Sequence, residues 1–291
     1  MKKVCYAVLF LMLAAGISRA AVEKKILRLG LLSKLNSTEE EFSEIWRKNF
    51  APNDEALDIT VKFYDTLTSM QMALNAGEIR EMVLPDFAAE YLMNQNDDYE
   101  SFLVLRSKGS GLAFGFREDG GELRDKFNEA LKTLRDNWTL AALEGKYIAS
   151  PGMNAPEPVK FFHFDGAPAI KAAVTGDLPP IDFIASDGSP AGFNTAVLAE
   201  IANILHMNVE LLNVDAGART ASLASGRADV VFWYEVDMSG KGIQPDVPQG
   251  VILSEPYYEW QKFIHLRKTD KRKGSWDWWD FKNNIFNLYW R

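Results

Sequence analysis

The residues with the most chemical potential in this 291-residue chain sit where strand-like runs end and helix-like runs begin. Asn36, Ser37 and Thr38 follow the apolar run "ILRLGLL" and precede the helical run "EEEFSEIWRKNF". Free N–H groups at such a helix start can grip an anionic group. The same three residues serve equally well as a plain N-cap. Asp86 follows the strand-like "EMVLP", and Asp65 with Thr66 follows "LDITVKFY". Farther along, Thr175, Asp177 and Asp182 crowd one loop, and Trp233, Tyr234 and Glu235 end another strand-like run. An alternating strand points Trp233 and Glu235 to one side and Tyr234 to the other. His163, His206 and His265 are scattered, and nothing around them has metal-ligand spacing. No metal or cofactor is therefore expected.

The elements that position these residues alternate between the two periods. Strands are expected at 26–32, 57–65, 81–87, within "SFLVLRS" and "GLAFGFRE", at 159–164, 170–177, 208–215 and 228–236. Helices are expected at 36–50, 68–79, 88–95, 194–207 and 218–226, with Gly77 as a C-terminal stop. "GELRDKFNEALKTLRDNWTLAALEGKYI" (121–148) reads as two consecutive amphipathic helices, with Leu123, Phe127, Ala130, Leu131 and Leu134 on one face. A Pro/Gly/Asn-rich linker at 150–158 follows, and the strand–helix alternation then restarts. Such alternation implies α/β layers with largely parallel sheets. Two such units suggest a cleft between them in which a ligand can bind.

Composition narrows the setting. Lys2 and Lys3, the apolar run Val4–Ile17, and the small residues Ser18 and Ala20 read as a secretory signal peptide over 1–20. Its removal takes away Lys2, Lys3 and Arg19 and shifts the net charge from −8 to −11. An acidic exported chain is a poor partner for nucleic acid or anionic lipid. The single cysteine, Cys5, goes with the leader, so disulfides and thiol chemistry are excluded afterwards. With 47% hydrophobic residues, core burial alone can hold the fold.

"VTGDLPPIDFIASDGSPAGFNTAVLAEIANIL" resembles the opening of the first lobe of bacterial extracellular solute-binding proteins of family 3. "NVELLNVDAGARTASLASGRADVVFWY" continues that likeness, and "SEPYYEWQKFIHLRK" is similar to the segment leading to the hinge. "LRLGLLSKLNSTEEEF", "ITVKFYDTLTSMQMALNAGEIREMVLPDFAAEYLM" and the helix pair resemble the second lobe and the terminal helices. The resemblance implies a two-lobed, type II-like periplasmic binding protein with its ligand cleft between lobes. The lobe order is inverted, which suggests a circular permutation; diverged tandem copies of one lobe are the alternative. The expected division is lobe II at 21–118, a helix pair at 119–149 packed on lobe I, the linker, lobe I at 159–268, and an aromatic tail at 269–291 with no alignable counterpart. Hinges are expected near 109–119 and 266–273.

The same resemblance places Asp86 where relatives carry a carboxylate that pairs with an amine. Leu178 stands where an aromatic residue often stacks on the ligand. The strand end 232–242 commonly supplies an arginine for an α-carboxylate and here has none. Arg219 could replace that charge, but a structural role is expected. The implied function is capture of a small polar solute, such as an amino acid or amine, by a periplasmic monomer that delivers it to an ABC permease. A ligand sensor, or a dehydratase or murein-cleaving enzyme using Glu235, is the alternative.

Overall fold

The computed structural model describes residues 25–34, 36–52, 57–149, 156–238 and 247–269. The leader, most of the 150–158 linker and the tail from 270 onward lie outside these. Twelve strands are described: β1 (Lys25–Leu32), β2 (Leu57–Tyr64), β3 (Glu81–Pro85), β4 (Tyr99–Arg117), β5 (Ala169–Val174), β6 (Asp177–Leu178), β7 (Asp182–Ile184), β8 (Pro190–Ala191), β9 (Asn208–Asn213), β10 (Val230–Asp237), β11 (Val251–Leu253) and β12 (Tyr258–Lys268). The helices are α1 (Glu39–Phe50), α2 (Leu67–Ala76), α3 (Asp86–Gln95), α4 (Gly121–Asp136), α5 (Thr139–Glu144), α6 (Phe193–Leu205) and α7 (Arg219–Ala224).

One nine-stranded sheet carries the fold, and it contains the same strand order twice. The first half runs β2–β1–β3–β12–β4, and the second runs β9–β5–β10–β4–β11. In each half three strands are parallel, and the fourth enters antiparallel from the other half. Two long strands make this exchange. β4 leaves the first half and enters the second; β12 does the reverse and pairs with it from Tyr258↔Leu112 to Lys268↔Tyr99. The two strand-like runs around "SFLVLRS" and "GLAFGFRE" are thus one 19-residue strand. Gly109 permits its passage between halves, at φ +107. β12 breaks register twice, between Trp260 and Lys262 and between His265 and Leu266, the second at the start of the 266–273 stretch. The segment 159–164 forms no named strand, contrary to expectation.

Local signals explain the helix boundaries. Thr38 opens α1 in a capping box with Glu41, so two otherwise orphaned N–H groups are satisfied. Gly77 closes α2 in the left-handed region, as its position implies. The helix pair becomes α4, α5 and a π-helical turn at 145–149. Phe127, Ala130, Leu131 and Leu134 are buried, with the Phe127 ring 5.0 Å from that of Phe116 and 5.4 Å from that of Phe114. Both α4 and α5 pack on α6 of the second half. One buried apolar cluster unites the halves, since it holds Leu67, Met70 and Phe87 together with Leu178, Phe193 and Phe232. No described helix is long and apolar enough to cross a membrane.

Candidate functional site

Parallel strands share a direction, so their C-terminal ends gather the loops that follow them. In the first half these loops carry residues 33–34, 36–38, 65–66 and 86. In the second they carry 175–177, with the end of β10 beside them. The two sets meet. Lys34 forms an ion pair with Glu235, and Asn36 Nδ2 donates to the Val247 carbonyl at 3.2 Å. α2 touches β6, and Leu178 is buried in that seam. An aliphatic side chain therefore fills the position where relatives often place an aromatic.

The second half contributes a dense polar group. Asp182 is buried and accepts from Thr175 N at 3.2 Å, Thr175 Oγ1 at 2.7 Å, Gly176 N at 3.0 Å and Trp233 Nε1 at 3.1 Å. Both of its oxygens are thus engaged by its own half. Thr175 Oγ1 also lies 2.6 Å from Asp177 Oδ1. One hydroxyl proton cannot serve two carboxylates fully, so one contact is complete only when a carboxyl is protonated. Burial pushes Asp177 above the ordinary carboxylate range, the Thr175 hydrogen bond opposes it, and the Asp182 charge adds to the rise.

β10 is bent at this point. Its register against β4 shifts between Val231 and Tyr234, and Trp233 takes φ +46. A bulge of this kind re-aims side chains. Trp233 reaches Asp182, and Glu235 reaches Lys34. Tyr234 is buried on the opposite side, where its hydroxyl lies 3.2 Å from Thr220 Oγ1 and its ring fills the space a Cβ on Gly115 would occupy. The guanidinium of Arg219 lies 4.0 Å from the Trp233 ring centroid, and its Nη1 donates to the Phe232 carbonyl at 3.4 Å. Arg219 Nε is buried with no hydrogen-bond partner among the described residues. Burial lowers the Arg219 pKa against the opposing fields of Tyr234, Asp182 and Asp177.

The first-half candidates are less concentrated. Thr38 is committed to the capping box, and Ser37 is half-buried beside it. Asp65 accepts from Ser33 Oγ at 2.7 Å. Asp86 Oδ1 accepts from the Phe87 N–H at 2.9 Å, and burial raises its pKa. Asp86 lies near the crossing strand, where burial first and then the Asp86 charge hold the Tyr258 phenol well above its usual range. The geometry thus joins Thr175, Asp177, Asp182 and Trp233 directly, and it joins Glu235 to Lys34. It sets Tyr234 apart. Lys34 was not singled out in the sequence, because a lone lysine after a strand has no local signal.

No group of three or more His, Cys, Asp or Glu side chains that could hold a metal occurs among the described residues. The donors and acceptors present can instead grip a polar organic group, with Trp233 as a flat apolar wall and mixed charges around it.

Comparison with known proteins bears on the second half. A stretch of 84 residues is 40% identical to the arginine-binding extracellular protein ArtP of Bacillus subtilis (strain 168). That match spans 28% of this chain and 32% of the relative. Among solved structures, the ligand-binding component of an ABC-type import system from Staphylococcus aureus covers 91% of this chain and 74% of its own, at 9% identity and a TM-score of 0.47. The ligand-binding core of GluR0 from Nostoc punctiforme in complex with L-glutamate covers 90% and 92%, at 12% identity and a TM-score of 0.40. Residues 170–287 match bacterial extracellular solute-binding proteins, family 3, and the match runs into the tail for which no counterpart was expected.

Proposed function

We propose that this protein is exported and captures a small polar solute, an amino acid or an amine, at the seam between the two halves of its sheet. The observation that carries the reading is the meeting of Lys34 and Glu235 across that seam, beside Trp233, Arg219, Thr175 and Asp177. A solute seated there would touch both halves and favour their closed arrangement by its differential affinity for it. Asn36, Ser37, Asp65 and Asp86 would line the first-half side; Thr175, Asp177, Trp233 and Glu235 would line the other. Asp182 would hold Thr175 and Trp233 in place, because its own oxygens are already engaged. Basic amino acids are the first solutes to try, since ArtP is named for arginine. Glu235 is read as a binding group, since it is paired with Lys34.

The inverted lobe order belongs to the same proposal. It is supported by the packing of α4 and α5 on α6, and by a family match confined to 170–287. The released solute would pass to an ABC permease.

A thermal-shift screen of the purified protein against amino acids, amines and short peptides tests the reading. A bound solute raises the melting temperature, by about 2.7 kcal/mol of added stability at a hundredfold excess over Kd. Asp86→Ala and Trp233→Ala should weaken that shift. A broad panel with no stabilising solute would remove the main support for a receptor.

A further inference from the structure

A second concavity lies at the corner between α4 and α5, against the first residues of β12. It encloses about 340 Å³ and is lined by Arg135, Trp138, Leu140, Glu144, Tyr258 and Glu259, among others. Its outer wall, Trp138, Glu144 and Glu259, is separate from the group around Trp233 and Lys34, whereas Tyr257 and Tyr258 form its floor and reach toward Asp182 and Asp86 on the far side. The volume falls at the small end of the range for small-molecule sites.

Trp138 is the residue that folding does not explain. It sits at φ +66, where an ordinary side chain is strained, and it remains 76% exposed. The corner does not require an indole. Asn137 already closes it, with its N–H on the Thr133 carbonyl at 3.0 Å and its Oδ1 accepting from Thr139 N at 3.0 Å. A glycine or asparagine at 138 would relieve the backbone without uncovering any core. The indole is therefore a wall of the groove.

The charges in the groove point to its occupant. Glu144 and Glu259 both line it, and Glu144 titrates high because of burial and then the Glu259 charge. Arg135 also lines the groove; it donates to the Pro256 carbonyl, and its charge partly offsets the rise at Glu144, which leaves one net negative charge among the three groups. Two carboxylates beside two aromatic rings attract a positive group twice over, by charge and by the ring quadrupole. We propose that this groove binds a small organic cation, an alkylammonium or alkylguanidinium, with Trp138 and Tyr258 as its aromatic walls and Glu144 and Glu259 as its counter-charges.

Isothermal titration of the purified protein with butylammonium and butylguanidinium, with butyrate as the control of opposite charge, tests the assignment. Saturable binding of the cations and none of butyrate is expected. Trp138→Asn should weaken the cations about two- to fivefold. It should also keep or raise the melting temperature, because asparagine tolerates the left-handed region. Glu144→Gln with Glu259→Gln should abolish binding, and 0.5 M NaCl should weaken it. A solute found by the thermal screen should bind the Trp138→Asn protein as it binds the unmodified one, which separates this groove from the seam. Failure of both cations to bind, binding that survives Trp138→Asn together with the two Gln changes, or equal binding of butyrate would each overturn the proposal.

Discussion

The Lys34–Glu235 pair offers the sharpest test of how the two halves communicate. The side chains are 23% and 31% exposed, so the pair is neither fully solvated nor deeply buried. At contact distance and an effective dielectric near 20, the gross attraction is about 5 kcal/mol. Ordering two long side chains removes about 1–2 kcal/mol each. Partial desolvation takes most of the rest, leaving about 1 kcal/mol, the upper range for a pair this accessible. Glu235→Gln should therefore lower the closed-to-open ratio about fivefold. Hydrogen exchange reads this directly, because opening exposes amides at the seam. Peptides covering 66–74 and 175–183 should exchange about fivefold faster in the variant without solute, and those covering α4 should not change. Lys34→Met should do the same, and the double variant should be no worse than either single one. Raising NaCl to 0.5 M should reproduce part of the effect in the unmodified protein. Exchange at the seam that is indifferent to both substitutions would mean that the pair is a surface contact with no hold on closure.

Asp177→Asn should stabilise the protein at pH 7 and make little difference near pH 3. The folded pKa of Asp177 is raised, so its favourable contribution is full below the unfolded value and is lost as pH rises through the folded one; urea titrations at both pH values check this. His265 Nδ1 lies 2.6 Å from Glu81 Oε2, both residues are buried, and His265 Nε2 has no partner among the described residues. Glu81→Leu should cost about 1–3 kcal/mol by stranding the imidazole. The joint change Glu81→Leu with His265→Leu should recover most of that loss in the same denaturation assay. Gly192 opens α6 at φ +92, where a Cβ would stand 2.7 Å from the Pro180 carbonyl oxygen and 2.9 Å from that of Ile181. Gly192→Ala should lower stability by at least about 2 kcal/mol, visible as a depressed melting temperature.

The alternation of periods determined the element types, because period two and period 3.6 are local properties of a chain. β1, β2, β5 and β9 fall where their apolar runs predict, and α1, α2, α4 and α6 follow their caps and apolar faces. The likeness to family 3 was legible in the second half, the stretch that the family's model matches. The reach of β4 was not, because a strand interrupted by "SKGSG" looks like two until a partner strand holds it through. The segment 159–164 misled for the converse reason: it is apolar enough for a strand, but its ends bond the Pro190 carbonyl and the Asn208 side chain instead of a ladder. Thr175, Asp177 and Asp182 are close along the chain, so their mutual hydrogen bonding was within reach of the sequence. The bulge at Trp233, the stacking of Arg219 on it and the pairing of Glu235 with Lys34 were beyond reach. Arg219 and Trp233 are 14 positions apart and meet through the packing of α7 on β10 within the second half, whereas Lys34 and Glu235 are 201 apart and meet only because β4 and β12 tie the two half-sheets together.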